Sequence, residues 1–127
     1  MRNYTIYETQ TGRIKRIGCC TESDYILQAK SGESILDNWY NSEQYYISNN
    51  TPMLKTEFID VTDRQTTVNT EITFSDLPNP TSVYIGNNVE IVIDGTFEVS
   101  FDFIGTYYLL FQSVTKITKG VKVEVSA

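Results

Sequence analysis

The sequence predicts a mainly β protein, and three observations support this. Apolar and polar side chains alternate with period two through most of the chain, a pattern typical of strands with one buried face. Turn residues, chiefly Gly, Asn and Pro, separate these runs at short intervals. Only residues 22–30 fit a helix, which Thr21 or Ser23 could cap and Gly32 could end.

Residues 1–63 are predicted to form a β-rich attachment segment that contains this short helix. Residues 3–8 and 13–20 are predicted to pair as a hairpin around "TQTG", where Gly12 supplies the positive φ that such turns often need. Further strands are expected in the runs "ESILDNWY", "EQYYIS" and "MLKTEFIDV". The polar, threonine-rich segment 60–69 is the best candidate for a linker.

Residues 67–127 are predicted to form a small antiparallel β-sandwich of immunoglobulin-like type, because about seven short strands alternate there with turns. Asp94-Gly95 is a strong two-residue hairpin signal. The absence of a Cys…Trp…Cys pattern argues against an antibody-type domain. In four alternating runs, one face is expected to lie in the core: Phe97, Val99, Phe101 and Phe103 in the first; Val121, Val123 and Val125 in the second; Thr70, Ile72 and Phe74 in the third; and Val89, Ile91 and Ile93 in the fourth. Glu98, Ser100 and Asp102, which alternate with the first run, are expected to face water.

Composition excludes several classes of function. The net charge of −6 removes the main attraction to nucleic acid and to anionic membranes. No apolar run has the length of a signal peptide or a membrane helix, so we expect synthesis and folding in a cytoplasm. The chain has no histidine, so Ser-His-Asp and Cys-His catalysis are impossible, and no nucleophile elbow or phosphate loop is present. We therefore expect no enzymatic activity, no catalytic residues and no cofactor.

Two groups of residues could in principle carry chemistry. Cys19 and Cys20 are neighbours on a predicted strand, so their side chains point to opposite faces, and two free thiols are favoured over a disulfide or a redox site. Asp94, Glu98 and Asp102 lie close in sequence, but carboxylates four residues apart on a strand are separated by about 13 Å. That spacing is too long for a glycosidase pair, and the run does not match a calcium loop, so a solvated face is favoured over a metal site.

Aromatic residues are dense at 39–46, in the run "WYNSEQYY". Trp39, Tyr40, Tyr45 and Tyr46 could anchor a protein interface or stack on sugar rings. A core tryptophan with half-buried tyrosines at its edge is the third possibility, and the sequence favours it.

The segment "YTIYETQTGRIKRIGCC…ILQAKSGESIL" resembles the N-terminal part of small structural proteins of bacteriophage tails. The matching features are an aromatic-rich strand, Thr11-Gly12-Arg13-Ile14, a second strand that ends at Cys20, then Gln28-Ala29 and Gly32-Glu33. The stretch "LPNPTSVYIGNNVEIVIDGTFEVSFDFIGTYYLLF" is similar to their second half, although a Pro would be expected before Gly105. The resemblance implies a tail component at the tip, baseplate or fibre, with no enzymatic residues.

This resemblance also implies other tail proteins as partners and a homo-oligomeric assembly of three-fold or six-fold symmetry. We expect the hairpin and the aromatic cluster to form the protein interface, through Tyr4, Thr5, Ile6, Tyr7, Arg13, Trp39, Tyr40, Tyr45 and Tyr46. Two alternatives remain open. One is a fibre-assembly helper that is absent from the virion, and the other is a carbohydrate-binding module for the host surface.

Overall fold

The computed structural model describes all residues, 1–127, and it is mainly β, which confirms the predicted fold class. Twelve strands and one short 3₁₀ helix, Glu22–Gln28, form two compact units, Met1–Lys55 and Thr56–Ala127. The polar segment 60–69, the predicted linker, lies inside the second unit, where part of it forms a strand.

The first unit is built on a three-stranded antiparallel sheet in the order β2-β1-β3, with β1 at Arg2–Glu8, β2 at Ile14–Cys20 and β3 at Glu33–Asp37. The predicted hairpin is therefore present as β1 and β2. Gly12 in its turn has φ +80°, and its carbonyl oxygen accepts a hydrogen bond from the backbone N–H of Ile47 at 2.9 Å. A side chain at this position would collide with the carbonyl oxygen of Ile47, so the turn requires glycine.

Both faces of this sheet are covered. The 3₁₀ helix lies against one face, where the Arg2 guanidinium stacks on the Tyr25 ring at 3.5 Å. The predicted helix at 22–30 is thus found over nearly the same residues, but as a tighter turn that ends at Gln28. A hairpin of β4, Tyr45–Ser48, and β5, Thr51–Leu54, packs its Ile47 with the side chains of Tyr7 and Ile14, which belong to β1 and β2.

A charge cluster ties β2 to the start of β3. The Glu33 carboxylate is almost fully buried and accepts two hydrogen bonds from Arg16, at 3.0 and 2.9 Å. It also pairs with Lys15 at 3.1 Å and accepts the backbone N–H of Lys30 at 3.0 Å. These contacts, Arg16 foremost, hold the pKa of Glu33 far below its ordinary value of 4.5.

The second unit contains seven strands in two sheets. The strands are β6 Arg64–Thr67, β7 Ile72–Phe74, β8 Thr81–Ile85, β9 Asn88–Val92, β10 Phe97–Val99, β11 Gly105–Ser113 and β12 Lys116–Ser126. One sheet has the order β6-β12-β11-β8-β9, and the other pairs β10 with β7. All pairings are antiparallel except that of β6 with β12, which is parallel.

This arrangement is immunoglobulin-like. The third, sixth and seventh strands lie side by side in one sheet, and the second and fifth form the other, as in that fold. The first and fourth strands, β6 and β9, occupy the two edges of the larger sheet. Near the start of β11, the Tyr107 hydroxyl donates to the carbonyl oxygen of Phe103 at 2.9 Å, which is the tyrosine corner of such sandwiches. The tyrosine corner is independent evidence for the fold, and the sequence analysis missed it.

The core of the second unit surrounds Phe111, which is fully buried. Its ring lies 5.0 Å from that of Phe74, and the rings of Phe58 and Phe97 lie at 6.0 and 6.2 Å. Side chains of both sheets thus meet in one core, as a sandwich requires.

The predicted division of the second unit's strand residues into buried and exposed faces is partly right. Phe97, Phe101 and the three valines of 121–125 are buried, and Glu98, Ser100 and Asp102 are exposed. Phe103, expected to be buried, is 76% exposed, because β10 ends at Val99 and the chain bends before β11 begins. The expectation for β9 was also wrong: Val89, Ile91 and Ile93 are exposed, and it is Val92 that enters the core.

Candidate functional site

The outer face of the five-stranded sheet carries large apolar side chains toward solvent. Strand register places Ile91 opposite Ser82, Val89 opposite Tyr84, Tyr84 opposite Leu110, and Tyr108 opposite Lys122. Opposite residues share a face, so these side chains form one surface. Its apolar members are Tyr84, Val89, Ile91, Tyr108 and Leu110, all at least one third exposed. An exposed apolar surface of this kind is typical of an interaction site.

A cleft opens on this face, and we call it the tyrosine cleft. Its volume is about 410 Å³, and its lining includes Tyr84, Tyr108, Gly86, Gly120, Asp63 and Lys122. The two glycines explain the hollow. Gly120 lies opposite Leu110 on the neighbouring strand, and Gly86 turns the chain between β8 and β9, so neither position fills the space beside the tyrosines.

Polar groups stand at one end of the tyrosine cleft. The Asp63 carboxylate accepts the backbone N–H of Lys122 through Oδ1 at 2.9 Å, and its Oδ2 accepts no hydrogen bond within the protein. The Lys122 ammonium pairs with Glu124 at 3.2 Å, and this pairing raises the pKa of Lys122. The hydroxyls of Tyr84 and Tyr108 have no hydrogen-bond partner in the protein, so both can bind a ligand.

A second feature, which we call the β9 margin, consists of Val89 and Ile91 of β9 and of Ile93, which follows the end of that strand. Strand β9 is the last strand of the sheet and pairs only with β8, so its other edge is free. The three side chains are 52%, 58% and 67% exposed. A free edge lined by apolar side chains is a template for contact with another chain.

In the first unit, the structure corrects part of the predicted interface. Thr5, Ile6 and Tyr7 are buried, because β1 is the central strand of a sheet covered on both faces. Their side chains therefore stabilise the unit and are not available to a partner. Tyr4 is half-buried, and its hydroxyl donates to Gln28 at 3.3 Å.

The remaining predicted interface residues are at least partly accessible. Trp39 is 54% exposed, which contradicts the favoured core position, and its Nε1–H donates to the carbonyl oxygen of Gly18 at 2.7 Å. Tyr40 and Tyr45 pack edge to face with ring centroids 5.3 Å apart, and Tyr46 is half-buried. Arg13 is exposed and pairs with Glu8 at 2.7 Å. Their role as an interface stays a prediction.

Both cysteines are free thiols, Cys19 exposed and Cys20 half-buried. Burial, followed by the charge of Asp24, raises the pKa of Cys20, which makes its thiolate scarcer. Asp94, Glu98 and Asp102 are all exposed. No group of three or more potential metal-ligating side chains occurs in the structure.

Sequence reasoning did not identify the tyrosine cleft. Tyr84 and Tyr108 are separated by more than twenty residues, and only the register of β8 against β11 brings them together. The available signal was the pair of glycines, since Gly120 interrupts the strand "KITKGVKVEV" and an isolated strand glycine marks a close approach or a gap.

Comparisons with known proteins add no family. No protein-family model matches the chain, and neither a curated protein nor a solved structure shows significant similarity to it. The seven-residue helix of the first unit is far too short to cross a membrane.

Proposed function

We propose that the protein is a non-enzymatic structural component of a bacteriophage tail, at the tip, the baseplate or a fibre attachment, and that it acts through protein–protein contacts. The phage assignment rests on the resemblance of the Thr-Gly-Arg-Ile hairpin and of the C-terminal run to small tail proteins. The phage assignment implies that the protein is located in the virion, that neighbouring tail proteins are its partners and that its assembled form is a symmetric homo-oligomer.

The β9 margin is the observation that carries the protein-contact part of this proposal. A row of three exposed apolar side chains beside unpaired backbone groups is costly to leave in water and prone to edge-to-edge association. A partner strand or sheet on this margin would satisfy the backbone groups and cover the side chains. The exposed Trp39 and its neighbouring tyrosines offer a second contact surface in the first unit.

The test pairs two substitutions on one strand. Ile91→Lys places a charge in the β9 margin, whereas Glu90→Lys places the same charge at the neighbouring exposed position, whose side chain points to the opposite side. We expect both variants to fold, and only Ile91→Lys to lower incorporation into particles, by tenfold or more. Equal incorporation of the two variants would exclude the β9 margin as the attachment surface.

Mass spectrometry of purified particles addresses the phage assignment itself. A stoichiometric 14.5 kDa component is expected. If the protein is produced during infection but missing from purified particles, it is an assembly helper and the structural role is wrong.

A further inference from the structure

We propose that the tyrosine cleft binds a neutral hexopyranose unit of a glycan. This goes beyond the structural role proposed above, because the ligand is not a protein and because the cleft uses β8, β11 and β12, whereas the proposed protein contact uses the free edge of β9 that borders the same face. Four properties of the cleft support it: its size, its aromatic walls, its polar groups and its rigidity.

The size fits one or two sugar rings. The volume of about 410 Å³ lies within the range of roughly 300–1,000 Å³ that is typical of small-ligand sites. The hollow comes from glycine positions and not from a gap between loosely packed elements, since Gly120 lies within the paired length of β11 and β12.

The aromatic walls match the apolar faces of a pyranose ring. Tyr108 is 70% exposed and Tyr84 is 39% exposed, so their ring surfaces are open to a ligand. A tyrosine combines an apolar ring with a polar hydroxyl, and a pyranose likewise combines C–H faces with hydroxyl edges. A ligand that stacks on Tyr108 can therefore bind to its ring and to its hydroxyl.

The polar groups favour an uncharged ligand. Asp63 and Lys122 are the charged residues of the lining, and the Lys122 ammonium is already paired with Glu124, so the site disfavours an anion. Asp63 Oδ2 offers a free acceptor, the Lys122 ammonium offers donors beyond the one used by Glu124, and the tyrosine hydroxyls offer both. Sugar hydroxyls are both donors and acceptors, and they can satisfy this mixed set.

The backbone of the site is also held in place before any ligand arrives. Tyr84, Tyr108 and Lys122 all project from paired strands of the same sheet, and Asp63 is fixed by its bond to the backbone of β12. Sites built on strands keep their geometry better than sites built on loops, which lowers the entropy lost on binding.

Gly120 provides a probe that blocks the cleft without damaging the fold. A Cβ at this position would lie 3.8 Å from Leu110 Cδ1 and 4.0 Å from the Leu109 carbonyl oxygen, which is ordinary contact. Gly120→Gln therefore fits the backbone, and its amide extends over the tyrosine cleft. Thr118→Gln, an exposed position on the same strand outside the lining, is the matched control. Tyr108→Ala removes the main stacking surface, and Tyr108→Phe removes only its hydroxyl.

The experiment is native affinity electrophoresis of the full chain in gels that each contain one neutral polysaccharide of hexopyranose units: a β-glucan, an α-glucan, a mannan or a galactan. A gel with polygalacturonate tests for simple charge binding. We expect retardation in at least one neutral gel, abolished by Tyr108→Ala and Gly120→Gln, partly reduced by Tyr108→Phe and unchanged by Thr118→Gln. Circular dichroism confirms that each variant is folded.

Three results would overturn the proposal. The first is an absence of retardation in all four neutral gels, and the second is retardation that Tyr108→Ala and Gly120→Gln leave unchanged. The third is a loss of particle incorporation by Gly120→Gln without any polysaccharide binding, which would make the cleft part of a protein interface. The β9 margin borders the same outer face, so Ile91→Lys is run in the same gels, and its retardation should equal that of the unchanged protein.

Discussion

The register of β11 decides which side chains form the core and which form the tyrosine cleft, and a pair of adjacent substitutions tests it. Leu109 is 1% exposed and belongs to the core, whereas its neighbour Tyr108 is 70% exposed. Leu109→Ala removes buried methyl groups and leaves a cavity, so the free energy of unfolding should fall by about 2–5 kcal/mol. Tyr108→Ala removes a larger side chain, but from the surface, so the free energy of unfolding should change by only about 0.5 kcal/mol.

The assay is urea unfolding of both variants and of the unchanged protein, followed by far-ultraviolet circular dichroism. A slope of about 1 kcal/mol per molar urea is expected for a unit of this size, so the midpoint for Leu109→Ala should fall by about 2 M or more. Such a loss is a large part of the total stability of a small domain.

A loss for Tyr108→Ala that equals or exceeds the loss for Leu109→Ala would refute the reasoning. A register shifted by one residue exchanges the two faces of a strand, so Tyr108 would become the core residue and Leu109 the exposed one. The tyrosine cleft would then not exist. A small loss for Tyr108→Ala therefore supports the placement of the site and of the core at the same time.

Three further predictions concern the first unit. Gly32→Ala, at φ +79° in open space, should lower the free energy of unfolding by about 1–2 kcal/mol. Gly12→Ala, at φ +80° against the carbonyl oxygen of Ile47, should lower that free energy further, as thermal unfolding of both variants would show. Equal losses for the two variants would contradict the close approach at Gly12. The pKa of Glu33 is lower in the folded protein than its ordinary 4.5, so its contribution to stability is present above that pH and is lost as pH falls. Calorimetry should show a lower Tm at pH 3 than at pH 7, and a smaller difference for Glu33→Gln. Cys19 should react with an aromatic disulfide reagent faster than Cys20, as single Cys→Ser variants would reveal.

Much of the fold follows from local patterns. The alternation of Val121, Val123 and Val125 predicts a half-buried strand correctly, because neighbouring strands on both sides fix its faces. The turn at Gly12 is equally predictable, since a conformation with positive φ restricts the residue types that fit.

The errors arise where burial depends on distant parts of the chain. Alternation indicates that the two faces of β9 differ, but the apolar face of an edge strand can point outward, as Val89 and Ile91 do. The candidate site was missed for the same reason. Density of aromatic residues along the chain pointed to Trp39 and its neighbours, while Tyr84 and Tyr108 meet only after the sheet has formed.

The parallel pairing of β6 with β12 has a mechanical consequence. When the second unit is pulled through Arg64 and Ser126, the force enters β6 at its first residue and leaves β12 at its last. Because the two strands run in the same direction, the pull slides one along the other, and their hydrogen bonds carry the load together and not one at a time. The side-by-side strands therefore act as a clamp, and the unit should resist tension far better than a hairpin of equal length opened from its end.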